Sequence, residues 1–184
     1  MYKFANETGY TRVSVWKEKN PISYQSENII ELLLDGDNTK WYQGTICVEA
    51  QLNVWHCSNY AMICMKYTNT QYDKTEVIIH NGICGDSTSS ELFRNNVIVG
   101  LNDEFTNAIK DYFILQPHNN IPCGRIEILG GAYDEVGSSN ASFRNVMNLL
   151  TYIFYNEYRL DENGFGKELF NQIHNYWSLF KSVK

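Results

Sequence analysis

No stretch of this 184-residue chain approaches the roughly 18–20 consecutive apolar residues of a membrane-spanning helix. The apolar run Ile29–Leu34 is far shorter and is marked out by Glu27, Glu31 and Asp35. Met1–Thr11 lacks the basic-then-apolar pattern of a signal peptide. These absences lead to the expectation of a cytoplasmic protein with no membrane contact. Basic clusters are missing as well. Lys and Arg number 15 against 21 Asp and Glu, the net charge is −6, and the acids are spread along the chain. Nucleic-acid binding draws much of its affinity from neutralised phosphates. DNA is therefore not expected as a partner, and RNA or the ribosome is disfavoured. A basic protein partner suits the charge, and plain solubility accounts for it equally well.

The usual carriers of chemistry are absent too. No Cys-x-x-Cys occurs among the five cysteines, an odd number, so neither a zinc site nor a secreted disulfide framework is expected. Cys47 and Cys64 lie in apolar stretches and read as small core residues. The sequons at Asn6 and Asn140 would matter only in a secreted protein. There is no Gly-x-Ser-x-Gly elbow. There is no phosphate-binding Gly-x-x-x-x-Gly-Lys-Ser/Thr, since Gly166-Lys167 is followed by Glu168. His56, His80, His118 and His174 show no ligand spacing. His56 and Cys57 are adjacent, so in extended chain they point apart and need a remote partner such as His80. Glu76, Asp86, Glu91, Asp134 and Glu135 would have to converge to do acid–base work; scattered surface acids are the commoner case. Asp35-Gly36-Asp37-Asn38 is a turn without the later ligands and closing Glu of a calcium loop. No cofactor and no metal is expected, and the chain reads as non-catalytic.

What is present is material for one core: 43% of the residues are hydrophobic and 14% aromatic, undivided by any linker or low-complexity tract. One domain over residues 1–184 is expected. Tyr10–Lys19 alternates, with Val13, Val15 and Lys17 on one side and Arg12, Ser14 and Trp16 on the other. Ser26–Leu34 fits either helix or strand. Trp41–Val54 and Tyr60–Thr68 read as strands joined by Trp55-His56-Cys57-Ser58-Asn59, with Thr75–Ile83 a third. A short strand is expected within Phe93–Gly100. Asn102 caps an expected helix to Leu115, with Asp103 and Glu104 in its first turn. Arg125–Tyr133 is a strand broken by Gly130-Gly131. Ser139–Tyr158 is the plainest helix, with Phe143, Val146, Met147, Leu150, Ile153, Phe154 and Tyr158 at three-and-four spacing. A last amphipathic helix is expected over Gly164–Lys181. The order predicts an α+β fold, a mostly antiparallel or mixed sheet with two to three helices on one face. Ile79-His80-Asn81-Gly82 and Ile128-Leu129-Gly130-Gly131 echo one another faintly, which reads as coincidence unless two halves superpose.

The stretch Arg125–Phe143, RIEILGGAYDEVGSSNASF, resembles the strand–loop–helix of domain IV of elongation factor G. Gly131, Tyr133, Val136, Ser138, Ser139 and Phe143 fall on that family's motif positions. The resemblance implies a core like the second domain of ribosomal protein S5 over about residues 41–158. It leaves extra N-terminal strands in 1–40 and a C-terminal helix at 164–181 outside. Physically, Gly131 permits a close approach at the strand end. Ser138 or Ser139 caps the next helix, and Phe143 is its first core residue. Where the family typically has a His at the RNA-facing tip, this chain has Asp134, followed by Glu135; two acids there oppose RNA. Trp55, His56 and Cys57 replace the family's glycine-rich basic loop and are a candidate interaction loop. With no GTPase motif, a translocase is excluded. The expectation is a protein-interaction module of translation-factor-like fold, with a dimer possible. The alternatives are a ribosome-binding mimic and an enzyme with an unrecognised Cys/His or carboxylate site.

Overall fold

The computed structural model describes residues 1–6, 11–22, 25–54, 57–70, 72–87, 92, 96–115 and 121–172. Strands form wherever β-branched and aromatic residues concentrate. They are β1 (Tyr2–Ala5), β2 (Arg12–Lys17), β3 (Asn28–Asp35), β4 (Gly44–Val54), β5 (Cys57–Thr68), β6 (Lys74–Ser87), β7 (Val97–Leu101) and β8 (Gly124–Tyr133). They make one sheet in the order β1-β2-β4-β5-β8-β7-β6-β3. Every pairing is antiparallel except β6 with β8. The α+β expectation is met, with helices α1 (Asp103–Leu115) and α2 (Asn140–Tyr155) and a shorter α3 over residues 165–172. Among the described residues no helix is long and apolar enough to cross a membrane.

The sheet divides at its middle. Thr75–Ile79 of β6 run parallel to Gly124–Ile128 of β8, and Ile79 pairs with Ile128. Beyond that point β7 enters between them, pairing with Gly82–Ser87 on one side and with Ala132 and Tyr133 on the other. The two segments that echo each other in sequence are thus neighbouring strands in register. Each carries a glycine just past the fork, Gly82 and Gly130, at φ of 149° and 147°, values L side chains rarely adopt. The two glycines do not correspond in the echo, which sets Gly82 on Gly131, so the echo reads as coincidence.

One sheet face carries the main core. Val13, Val15, Ile46, Val48, Ile63, Met65, Val77, Ile79, Ile126 and Ile128 pack beneath Phe105, Ile109 and Phe113 of α1 and Phe143, Val146, Leu150 and Phe154 of α2. Phe105 stacks on Phe143 at 4.4 Å between centroids. Asn102 Oδ1 accepts from Phe105 N at 2.9 Å, so the predicted cap of α1 is in place. Ser139 and Ser142 form a reciprocal capping box at the start of α2. Phe165 of α3 stacks on Tyr152 of α2 at 5.9 Å and meets Phe4 of β1 edge-on at 6.3 Å. Arg159 Nη1 and Nη2 donate to the two oxygens of Glu168 at 2.8 and 2.7 Å, closing the turn between α2 and α3. The opposite face holds a smaller cluster, with Trp16, Cys47, Tyr60, Met62, Cys64 and Ala132 at its centre.

Several boundaries depart from sequence expectation. The β4–β5 link is two residues, Trp55 and His56, because Val54 pairs with Cys57 and Leu52 with Asn59. Cys57, Ser58 and Asn59 are strand, not loop. Trp41 and Tyr42 precede β4 instead of opening it. Trp41 lies 5.5 Å from Phe154 and 5.7 Å from Tyr67, and Tyr42 N donates to the Phe154 carbonyl. Ser26–Leu34 resolves as a strand from Asn28. The expectation of no disulfide is corrected: Cys47 and Cys64, directly opposite on β4 and β5, are bonded. Their reading as buried core residues holds, since both are fully buried.

Candidate functional site

The motif residues of β8 and α2 assemble at one end of the sheet. Gly131 lies where a Cβ would come within 2.5 Å of the Met62 carbonyl oxygen and 2.7 Å of Leu101 Cδ2, so a side chain is excluded there. Tyr133 is buried against Phe105, with centroids 5.1 Å apart. Burial pushes its phenol pKa up, opposed by a hydrogen bond with Asn102. The next five residues form a tight, self-bonded turn. Val136 N donates to Asp134 Oδ1 at 3.0 Å, and Ser138 N to the Asp134 carbonyl at 3.0 Å. Ser138 Oγ accepts from Asp134 N at 2.9 Å and donates to the Tyr60 carbonyl at 2.6 Å. Tyr60 N in turn donates to the Gly137 carbonyl at 2.8 Å. Ser138 therefore pins the turn to β5, while Ser139 caps α2. Phe143 is fully buried. Glu135 and Val136 project outward, Val136 at 95% exposure. Gly131, Ser138, Ser139 and Phe143 are structural, Asp134 is half-buried and bonded within the turn, and Glu135 and Val136 face solvent.

Trp55 and His56, at the β4–β5 turn, lie outside the described residues, as does the Cys57 side chain. His80 is half-buried, with Nδ1 3.1 Å from Ser26 Oγ. The candidate carboxylates do not converge. Glu76 pairs with Arg125 at the start of β8, whereas Asp134 follows its end. Glu91 and the Asp86 side chain lie outside the described residues. A carboxylate that sequence reading missed, Glu49, is fully buried on the helix-free face and accepts from Tyr60 Oη at 3.1 Å. Its only signal was an acid set between Val48 and Ala50 in a strand.

At the opposite end, a cavity of about 700 Å³ opens between the β3–β4 and β5–β6 loops. Asp37, Trp41, Tyr67, Tyr72, Asp73 and Cys123 are among its walls. Tyr67 Oη donates to the Cys123 carbonyl at 2.8 Å, and Thr39 N to Asp37 Oδ1 at 2.7 Å, so much of the polar rim is already bonded. Among the described residues no three His, Cys, Asp or Glu side chains are grouped to hold a metal ion.

One exposed apolar feature is an edge. β3 pairs only with β6, from Asn28↔Asn81 to Asp35↔Lys74, and its outer side carries no strand among the described residues. Ile30, Leu32 and Leu34 lean half-buried on the main core. Ile29 and Leu33 point the other way, 54% and 72% exposed. An eight-residue edge with unpaired main-chain groups and exposed branched side chains is a template for another strand. Sequence reading left this segment between helix and strand, because apolar residues occupy both of its faces. No family model matches the chain, and neither a curated protein nor a solved structure does.

Proposed function

We propose that this chain is a non-catalytic protein-interaction module built on a translation-factor-like core. The observation that carries it is the outer edge of β3, unpaired among the described residues and flanked by exposed Ile29 and Leu33. Natural sheets blunt such an edge with charged side chains, with proline, with a bulge or by shortening it, and of these β3 has the charges, Glu31 and Asp35. This one is eight residues long, regular in its register, and without proline. The translation-factor relation is supported by the order β7–α1–β8–α2, by both helices lying on one face, and by Gly131 and Ser139 doing the structural work expected of that motif.

The ribosome-binding reading stands second, because the turn exposes Glu135, next to a half-buried Asp134 engaged by its own turn, where RNA contact calls for positive charge. A tagged pull-down from the native cell, with ribosomes followed by sedimentation at low and moderate salt, separates the two. One discrete protein partner, free of ribosomes, is the expected result. Salt-sensitive co-migration with ribosomal particles would transfer the function to the tip, and recovery of no stable partner would remove the interaction reading.

A further inference from the structure

The edge of β3 has a chemical pattern that selects its occupant. Ile29, Glu31, Leu33 and Asp35 occupy alternate positions on the helix-free side of the strand, and all four are exposed. Glu27, also exposed, lies in the bend just before it, its N–H on the carbonyl of Asn81, the residue opposite Asn28. Acid and apolar side chains therefore alternate along one face with a four-residue repeat of each. Asp35 is engaged by Lys74 across the β6 pair. Glu27 and Glu31 have no cationic partner among the described residues.

Resting on the interaction reading, we propose that β3 accepts an extended segment of a partner protein in which Lys or Arg alternates with apolar residues on one face. The segment adds as a ninth strand. Its main chain bonds the outer edge of β3, its cations lie opposite Glu31 and near Glu27 at the strand's start, and its apolar side chains lie opposite Ile29 and Leu33. Directly opposed residues in a sheet have Cβ atoms about 4.5–5.5 Å apart, where opposite charges attract and like charges repel.

A second copy of this chain does not fit. Side chains keep to their own face only in registers that set odd-numbered residues opposite odd-numbered ones. The register that brings Ile29 against Leu33 also brings Glu31 against Glu31. A shift of two residues either way sets Glu31 against Ile29 or Leu33. A shift of four sets Ile29 on Ile29 over Asn28–Ile30 alone, or Leu33 on Leu33 with Glu31 against Asp35. The acids thus bar self-pairing while favouring a basic strand, and the overall charge of −6 acts in the same direction.

The test uses the full chain and a synthetic peptide, acetyl-Lys-Thr-Val-Thr-Lys-Thr-Val-Thr-Lys-amide, followed by fluorescence anisotropy. A Glu-for-Lys counterpart and two versions N-methylated at alternate residues, one in each phase, serve as controls. The proposal expects the Lys peptide to bind and the Glu peptide not to. One methylation phase should abolish binding and the other should preserve it, because only one edge of an added strand faces β3. Glu31→Lys should weaken binding about tenfold and Leu33→Thr about fivefold. Both sites are exposed, and circular dichroism checks that the variants fold. Equal binding of both methylated peptides means simple charge attraction and overturns the proposal, as does no binding at all. If the native partner is captured equally by wild type and both variants, β3 is not its dock and the interaction reading stands without it. If no partner is captured by any form, the interaction reading itself fails.

Discussion

Ile79 of β6 and Ile128 of β8 are the last residues at which these two parallel strands pair before β7 parts them. Both are fully buried beneath the helices, so the fork lies inside the core. Gly100 of β7 sits in its throat. A Cβ there would come within 2.2 Å of the Gly82 carbonyl oxygen and 2.8 Å of Ile83 Cα, at a φ of 125°. Gly100→Ala therefore forces backbone apart and should cost about 3 kcal/mol. Gly85→Ala, with nothing within 4 Å of its Cβ, should cost only about 1–2 kcal/mol for its left-handed backbone. Urea unfolding of both variants measures the contrast; equal losses would mean that crowding at the fork is not the cause.

The turn after β8 offers a second contrast within a few residues. Ser138→Ala removes the bonds to the Tyr60 carbonyl and the Asp134 amide and should cost about 1–2 kcal/mol. Ser139→Ala removes the α2 cap and should cost about 1 kcal/mol. Val136→Lys, at a position 95% exposed, should change stability by no more than about 0.5 kcal/mol. Thermal denaturation of the three variants ranks them, and a large loss from Val136→Lys would show the tip to be packed.

Tyr42 sets an alkaline limit. Burial, then its hydrogen bond to Glu18 at 2.7 Å, pushes the phenol pKa from 10.0 up to about 12. The folded state keeps the proton that the unfolded chain releases. The contribution is intact below about pH 10 and is lost as pH rises through about 12. Wild type should lose stability over that window faster than Tyr42→Phe. Unfolding by urea at stepped pH shows it, and parallel curves would place the raised pKa elsewhere.

The Cys47–Cys64 bond should be found when the protein from its own cell is denatured, alkylated without reductant and mapped by mass spectrometry. Both cysteines then escape modification. Replacing both with Ala should cost about 3 kcal/mol for a bond spanning 17 residues. Alkylation of both would show the pair as thiols, which is the form a cytoplasmic address favours.

Much of the fold was legible because it is local. The three-and-four spacing of Phe143, Val146, Leu150 and Phe154 locates α2, and Asn102 announces α1 through a bond only three residues long. What was illegible is set by pairing across distance. Cys47 meets Cys64 through the register of β4 on β5, which no spacing rule states. The short β1 carries too few residues for alternation to show. The cavity near Trp41 is built from three loops far apart in sequence. The alternation of Glu27, Ile29, Glu31, Leu33 and Asp35 was in plain view. It was masked by Ile30, Leu32 and Leu34, which fill the intervening positions with equally apolar side chains.

The fork also sets an order of assembly. β4 and β5 join across two residues and can zip early, since short closures are fast. Thr75 meets Gly124 only by closing the long stretch of chain that holds β7 and α1, a slower, non-local step. During that interval the Thr75–Ile79 edge, buried in the finished sheet, is bare and apolar. The slow phase of refolding, and any aggregation that competes with it, will be governed by this inner seam and not by either outer edge.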